Sequence, residues 1–167
     1  MRFCHTLPLV LVLGLAACSG ESSKEVTFSD PVAAMDQADA AGASGNSETA
    51  LAGYEYALAN GDAALQGDAL MGMLSLHLAD GKEDEATSAF DRLKNEFSDS
   101  LTSDELLRLC DAAVAAAFPD LGESMVEFAA GKFPEIKSQL EKPLAAFELI
   151  REQGPGADLS GVGYAGD

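Results

Sequence analysis

Residues 74–98, LSLHLADGKEDEATSAFDRLKNEFS, carry the reading on which the fold rests. One helix ends at Gly81, and another opens on Lys82-Glu83-Asp84-Glu85 and continues to Phe97. Acids in that opening turn meet the positive end of the helix dipole. Within the second helix Ala86 stands four residues before Phe90, and Leu93 follows three residues later. The small side chain lets a paired helix approach, and the large one fills the groove one turn on. The stretch predicts a helical hairpin.

A shift of 36 residues finds the same hairpin on either side. It aligns Gly45, Gly81 and Ala117 at the turn, and Ala50, Ala86 and Gly122 as the small position. It also aligns Tyr54, Phe90 and Val126, then Ala57, Leu93 and Ala129, and in the first helices Ala34, Leu70 and Leu106. One hairpin cannot bury its own apolar face, but stacked hairpins share a continuous core. Breakers fall at helix-length intervals. Ser29-Asp30-Pro31 reads as a cap followed by proline at the first helical position, Asn46 or Ser47 caps the next helix, and Asn60-Gly61 is a left-handed stop. Thr102 and Glu105 form a capping box. Pro119 and Pro134 each suit a first turn, Pro143 inside the final helix predicts a kink or break, and Gly154-Pro155-Gly156 ends it. No stretch alternates apolar and polar residues, so the expected class is all-α.

Gly81, Ala86, Phe90 and Leu93 stand at the turn-glycine, small, aromatic and small-apolar positions of a tetratricopeptide repeat, which this pattern resembles. Ser47–Ala59, SETALAGYEYALA, matches the second helix of another repeat through Ala50, Tyr54, Ala57 and Leu58, and Pro134 stands at the repeat-ending proline. The likeness covers about residues 31–134, with 135–153 as a capping helix. It departs from the family in its period, 36 against about 34, in the first-helix Trp and Gly positions, and in a degenerate third unit. The resemblance implies a short right-handed array of about three hairpins that binds ligands along the concave face of its first helices. In the 36-residue register that face holds Val32, Met35 and Asp39, then Asp68, Met71 and Ser75, then Asp104, Leu107 and Asp111. Methionine adapts to varied partners, and the acids favour basic groups on them. The competing reading makes Met35, Met71 and Leu107 plain core.

The N-terminus reads as an address. Arg2 precedes an apolar run from Leu7 to Leu15, interrupted only by Pro8 and Gly14 and followed by Ala16-Ala17-Cys18. The run is far short of the roughly 20 helical residues needed to cross a bilayer, and its pattern is that of a secretory signal over residues 1–17. Leu15-Ala16-Ala17-Cys18 resembles the lipobox of bacterial lipoproteins. That resemblance implies acylation of Cys18, cleavage just before it, and a durable membrane anchor of two or more chains. Ser19, standing where an Asp would favour inner-membrane retention, implies the outer membrane facing the periplasm. Ser19–Phe28 would be a polar tether, making 18–28 the anchor segment, 29–153 the helical domain, and 154–167 a Gly-rich tail, loose or weakly docked.

Chemistry-bearing residues are scarce. The 167-residue chain has 28 acidic and 10 basic side chains and a formal charge of -18. Loss of residues 1–17 removes Arg2 and no acid and leaves -19, which excludes nucleic acid as a partner, since phosphates need clustered Lys and Arg. His77 and Cys110 would be the remaining imidazole and free thiol, too few for a His/Cys metal site. His77 occupies a position where the repeat family carries a Tyr, so a packed, hydrogen-bonded histidine is expected, and Cys110 reads as a small buried thiol. No carboxylate pair is placed in an apolar cleft, and no cofactor is implied. The sequence therefore reads as a non-catalytic adaptor or scaffold for envelope proteins. The rival readings are a ligand- or peptide-binding lipoprotein and an enzyme acting on cell-wall material.

Overall fold

A computed structural model describes residues 27–164, so the signal, Cys18 and nearly all of the tether lie outside the described residues. Seven helices pack against one another: α1 Pro31–Ala43, α2 Ser47–Asn60, α3 Ala63–Ala79, α4 Glu83–Glu96, α5 Ser103–Ala116, α6 Pro119–Lys132 and α7 Lys137–Gln153. Short 3-10 turns stand at Ser98–Ser100, Pro134–Ile136 and Ser160–Val162, and the described residues contain no strand. The expected all-α class is what the chain adopts.

The 36-residue recurrence is physical. Helices α2, α4 and α6 are each 14 residues long and begin at Ser47, Glu83 and Pro119. The turns before them share one geometry. Gly45, Gly81 and Ala117 all take the left-handed conformation, at φ of 78°, 71° and 58°. Around each, one N–H reaches back five residues and the preceding one reaches back three. The pairs are Asn46 to Ala41 with Gly45 to Gly42, Lys82 to His77 with Gly81 to Leu78, and Phe118 to Ala113 with Ala117 to Val114. This is the Schellman closure, which satisfies carbonyls that a helix end leaves without partners. Ala117 alone carries a Cβ there, and left-handed backbone costs a non-glycine residue about 1–2 kcal/mol. Ala117→Gly is accordingly expected to raise the unfolding free energy by up to about 1 kcal/mol, the relief exceeding the entropy that glycine adds to the unfolded chain. Gly81→Ala should lose a similar amount; urea denaturation of the two variants checks both signs.

Helix starts follow from capping. Asp30, Asn46 and Asp62 accept the backbone N–H of Ala33, Thr49 and Leu65 at 2.9, 3.1 and 3.0 Å. Thr102 and Glu105 complete the expected capping box, with Glu105 accepting the Thr102 N–H at 2.8 Å. Gly61 departs from expectation: it is extended (φ -79°) rather than left-handed. A Cβ there would lie 2.7 Å from the Ala57 carbonyl and 3.1 Å from the Leu65 Cβ, so glycine serves close approach rather than handedness.

The hairpins α1–α2, α3–α4 and α5–α6 follow one another with α2 packed on α3 and α6 on α7, while the first helices adjoin in series, α1 to α3, α3 to α5 and α5 to α7. Ala50, Ala86 and Ala57, Leu93 and Ala129 are fully buried, and Tyr54, Phe90 and Val126 nearly so. The buried residues fall into two clusters. The larger runs from α3 to α7; the smaller, of Ala38, Ala41, Ala50, Tyr54, Ala57 and Ala69, belongs to the first hairpin and the start of α3. Leu58 and Met73 pack against both. In the first hairpin the helices nearly touch, since a Cβ on Gly53 would sit 2.7 Å from the Ala34 carbonyl and 2.8 Å from the Ala38 Cβ.

One further expectation is corrected. Pro143 does not break α7, which is one helix from Lys137 to Gln153. The proline removes one backbone donor, but its ring is buried, and Leu140, Ala146, Phe147 and Ile150 on either side of it are buried as well. The tail, expected to be loose or weakly docked, lies against the fold. Ala157, Leu159, Val162 and Tyr164 pack against the main core. The Tyr164 hydroxyl donates to Asp111 at 2.5 Å, and the Lys142 ammonium lies 3.9 Å from the centre of the Tyr164 ring.

Candidate functional site

The nine residues of the expected face lie on α1, α3 and α5, the helices that adjoin in series. All nine reach the surface. Val32 is 61% exposed, Asp39, Asp68, Ser75, Asp104 and Asp111 are exposed, and Met35, Met71 and Leu107 are half-buried. Those last three are neither plain core nor free: Met35 packs on the first-hairpin cluster, Met71 and Leu107 on the larger one.

Ser75 is the centre of the face. A hollow of about 270 Å³ between α1 and α3 is lined by Asp39, Gly42, Tyr54, Gly72 and Ser75 among others. A second, of about 200 Å³, lies between α3 and α5 and is lined by Met71, Ser75, Glu105, Arg108, Leu109 and Ala112. A third, of about 360 Å³, runs from Ser75 and Leu78 to Ala112 and Ala116. The face is thus a chain of shallow apolar hollows with polar margins. The Ser75 hydroxyl itself donates to the Met71 carbonyl at 2.9 Å, within its own helix. Of the nine, Asp39, Met71 and Ser75 line these hollows, and Val32, Met35, Asp68, Asp104, Leu107 and Asp111 line none of them.

Negative charge accumulates along this surface. Partial burial, then the carboxylates of Glu105, Asp39 and Asp62, push the Asp68 carboxyl above the usual range. Glu105 moves the other way, held down chiefly by its hydrogen bond with the Thr102 side chain. Asp39 accepts the Tyr54 hydroxyl at 2.8 Å, and burial plus that neighbour raises the phenol. The Tyr54 ring also lies directly on the α3 backbone at Gly72, where a Cβ would come within 2.5 Å of it. Asp39, Ser75 and Asp111 are register equivalents, and both carboxylates take a tyrosine hydroxyl, from Tyr54 and from Tyr164. Sequence reasoning placed Tyr54 as an apolar filler and Tyr164 in a tail that is loose or weakly docked on the last helix, and gave neither hydroxyl a partner. Arg108 and Leu109 went unremarked as lining, although their neighbour Glu105 was fixed by the capping box.

The remaining candidates have simpler settings. Cys110 is fully buried and its thiol is pushed up to about 12 by burial and Asp111, so it stays protonated at neutral pH. His77 is packed as expected, 6% exposed, but its Nδ1 has no hydrogen-bond partner. Burial, followed by Lys82, lowers its proton affinity below the ordinary value of 6.5. As pH falls through about 6.5 the unfolded chain takes up this proton before the folded one, so His77 subtracts stability on the acid side. His77→Phe should therefore show a smaller loss of unfolding free energy between pH 7.5 and pH 5 than the parent chain. Equal losses in parallel urea titrations at the two pH values would show that His77 is not held neutral.

A hollow of about 540 Å³ on the α4–α6 side is lined by Lys94, Ser124, Glu127, Phe128, Gly131 and Lys132. Both ammonium groups are engaged, Lys94 by Asp91 at 2.9 Å and Lys132 by the Ser98 carbonyl at 2.6 Å. Among the described residues no three His, Cys, Asp or Glu side chains gather as a metal site, and no helix is long and apolar enough to cross a membrane. Comparison with protein-family models, curated proteins and solved structures finds no match to the chain.

Proposed function

We propose that this chain is a lipid-anchored, non-catalytic adaptor of the bacterial cell envelope, built as a short tetratricopeptide-like array that grips a partner protein with its first helices. The observation that carries the reading is the surface centred on Ser75, where hollows between α1, α3 and α5 meet and Met71 stands half-buried among acids. Support for a repeat array comes from three second helices of equal length, 36 residues apart, each entered through the same left-handed turn. Shallow hollows suit a polypeptide better than an enclosed small molecule, which buries most of its surface in a deep pocket. Asp39, Asp68 and Asp111 stand exposed along the face with Glu105 beside them, so the partner segment carries basic residues beside apolar ones.

Support for the anchor is the sequence alone: a short apolar run ending in Leu15-Ala16-Ala17-Cys18. With Ser19 after the cysteine, the address is the outer membrane, with the array in the periplasm.

A photo-crosslinking amino acid at position 71 or 75, in intact cells, tests the adaptor reading. It is expected to capture one dominant envelope protein, and the same probe at exposed Glu148 on α7 is expected to capture none. Equal capture at both positions sinks the reading. Separately, Cys18→Ser is expected to abolish lipid processing and release the chain from membranes; unchanged membrane association would remove the anchor.

A further inference from the structure

The C-terminal segment is a turn seated on the surface that α5 and α7 form together. Leu159, Val162 and Tyr164 rest on the main core. The N–H groups of Val162 and Tyr164 both return to the Leu159 carbonyl, at 3.1 Å each. Asp158 caps the turn by accepting the Ser160 N–H at 3.0 Å. At its end the Tyr164 hydroxyl reaches Asp111 on α5, while Lys142 on α7 covers the ring.

Asp111 is the register equivalent of Ser75 and Asp39, and its neighbour Ala112 lines the hollows that meet at Ser75. The seated turn thus reaches the candidate partner face through Asp111. Its hold differs from that of the helices. Leu159, Val162 and Tyr164 are only half-buried, and the residues between them are exposed. One hydroxyl, one ammonium over a ring and three partial apolar contacts are what fasten it.

We propose that the α5–α7 end of this face is a peptide subsite for a turn bearing branched apolar residues and a terminal tyrosine, and that the chain's own residues 159–164 occupy it until a segment of the same chemistry displaces them. The inference rests on the adaptor reading for its purpose, but not for its physics. The own segment carries no basic residue, so it leaves the acids around Asp68 unanswered. A partner segment that adds Lys or Arg beside the tyrosine turn would satisfy both ends of the face and win the exchange.

The test uses purified chain lacking only the signal, with Cys18→Ser, and a labelled peptide of the sequence ADLSGVGYAGD. The same chain carrying Leu159→Ser, Val162→Ser and Tyr164→Ser is expected to bind the peptide saturably, at least ten-fold more tightly than the chain without these three changes does. Asp111→Asn added to that variant should weaken binding again. No binding to the released variant, or equal binding to both proteins, overturns the proposal. Hydrogen exchange on the unmodified chain guards against a folding defect. The amides of Val162 and Tyr164 should exchange by local opening, far faster than those of α3 and α5; exchange at the rate of the core would make the turn a fixed part of the fold and end the proposal. Neither readout needs a membrane or an envelope partner, so failure of the adaptor reading leaves this result standing, and the reverse.

Discussion

Gly122→Ala is expected to lower the unfolding free energy by about 2 kcal/mol, although the same change in an unhindered helix stabilises by up to about 1 kcal/mol. The reason is the crossing of α6 and α7. A Cβ on Gly122 would lie 2.0–2.5 Å from three ring carbons of Phe147. That ring is fully buried and cannot swing into solvent. Overfilling a packed core costs about 1–3 kcal/mol and more where neighbours cannot retreat, so the clash outweighs the gain in helix propensity. Gly131 supplies the control within the same helix, since a Cβ there meets nothing within 4 Å. Gly131→Ala should stabilise, which opens a gap of about 3 kcal/mol between two chemically identical substitutions. Urea denaturation followed by circular dichroism measures it. Similar effects at both sites would mean that α6 and α7 do not cross at Gly122.

Phe90→Ala is expected to have the larger effect, a loss of about 4 kcal/mol. Phe90 is 1% exposed and meets the Phe128 ring edge-on, with centroids 5.9 Å apart and planes at 83°. It therefore ties α4 to α6, two second helices that meet across hairpins. Truncation removes the buried ring and leaves a cavity that the surrounding Leu and Ala residues cannot close, which is why the cost exceeds transfer alone. Phe90→Leu keeps most of the volume and should lose less than about 1.5 kcal/mol. A loss below about 1 kcal/mol for the alanine variant would place the ring outside the core.

The repeated features were readable because they are local. A turn glycine, a small residue five positions on and a bulky one four later each constrain only neighbouring backbone, so a 36-residue shift exposed them. Ala117 is the telling case: alignment with Gly45 and Gly81 marked it as a turn, and it holds φ of 58° despite its side chain. The capping box at Thr102 was readable for the same reason. What escaped was non-local. Tyr164 finds Asp111 across 53 positions, and no pattern near either residue encodes that contact. Tyr54 looked like a core filler, yet its hydroxyl reaches Asp39. Pro143 predicts a break on local grounds alone, whereas buried residues on both sides keep α7 whole. The candidate face was found by register, but its hollows depend on Gly72 and Ala112, small residues whose value appears only when α3 lies between its neighbours.

The division of the core has a mechanical consequence. The first hairpin rests on alanine-to-alanine contact and one tyrosine, meets the rest where α2 lies along α3, and is the part that any traction on the chain ahead of Pro31 reaches first. Under load from that end the first hairpin should part before the rest, because its enclosed residues are alanines and one tyrosine, while the larger cluster keeps its shape.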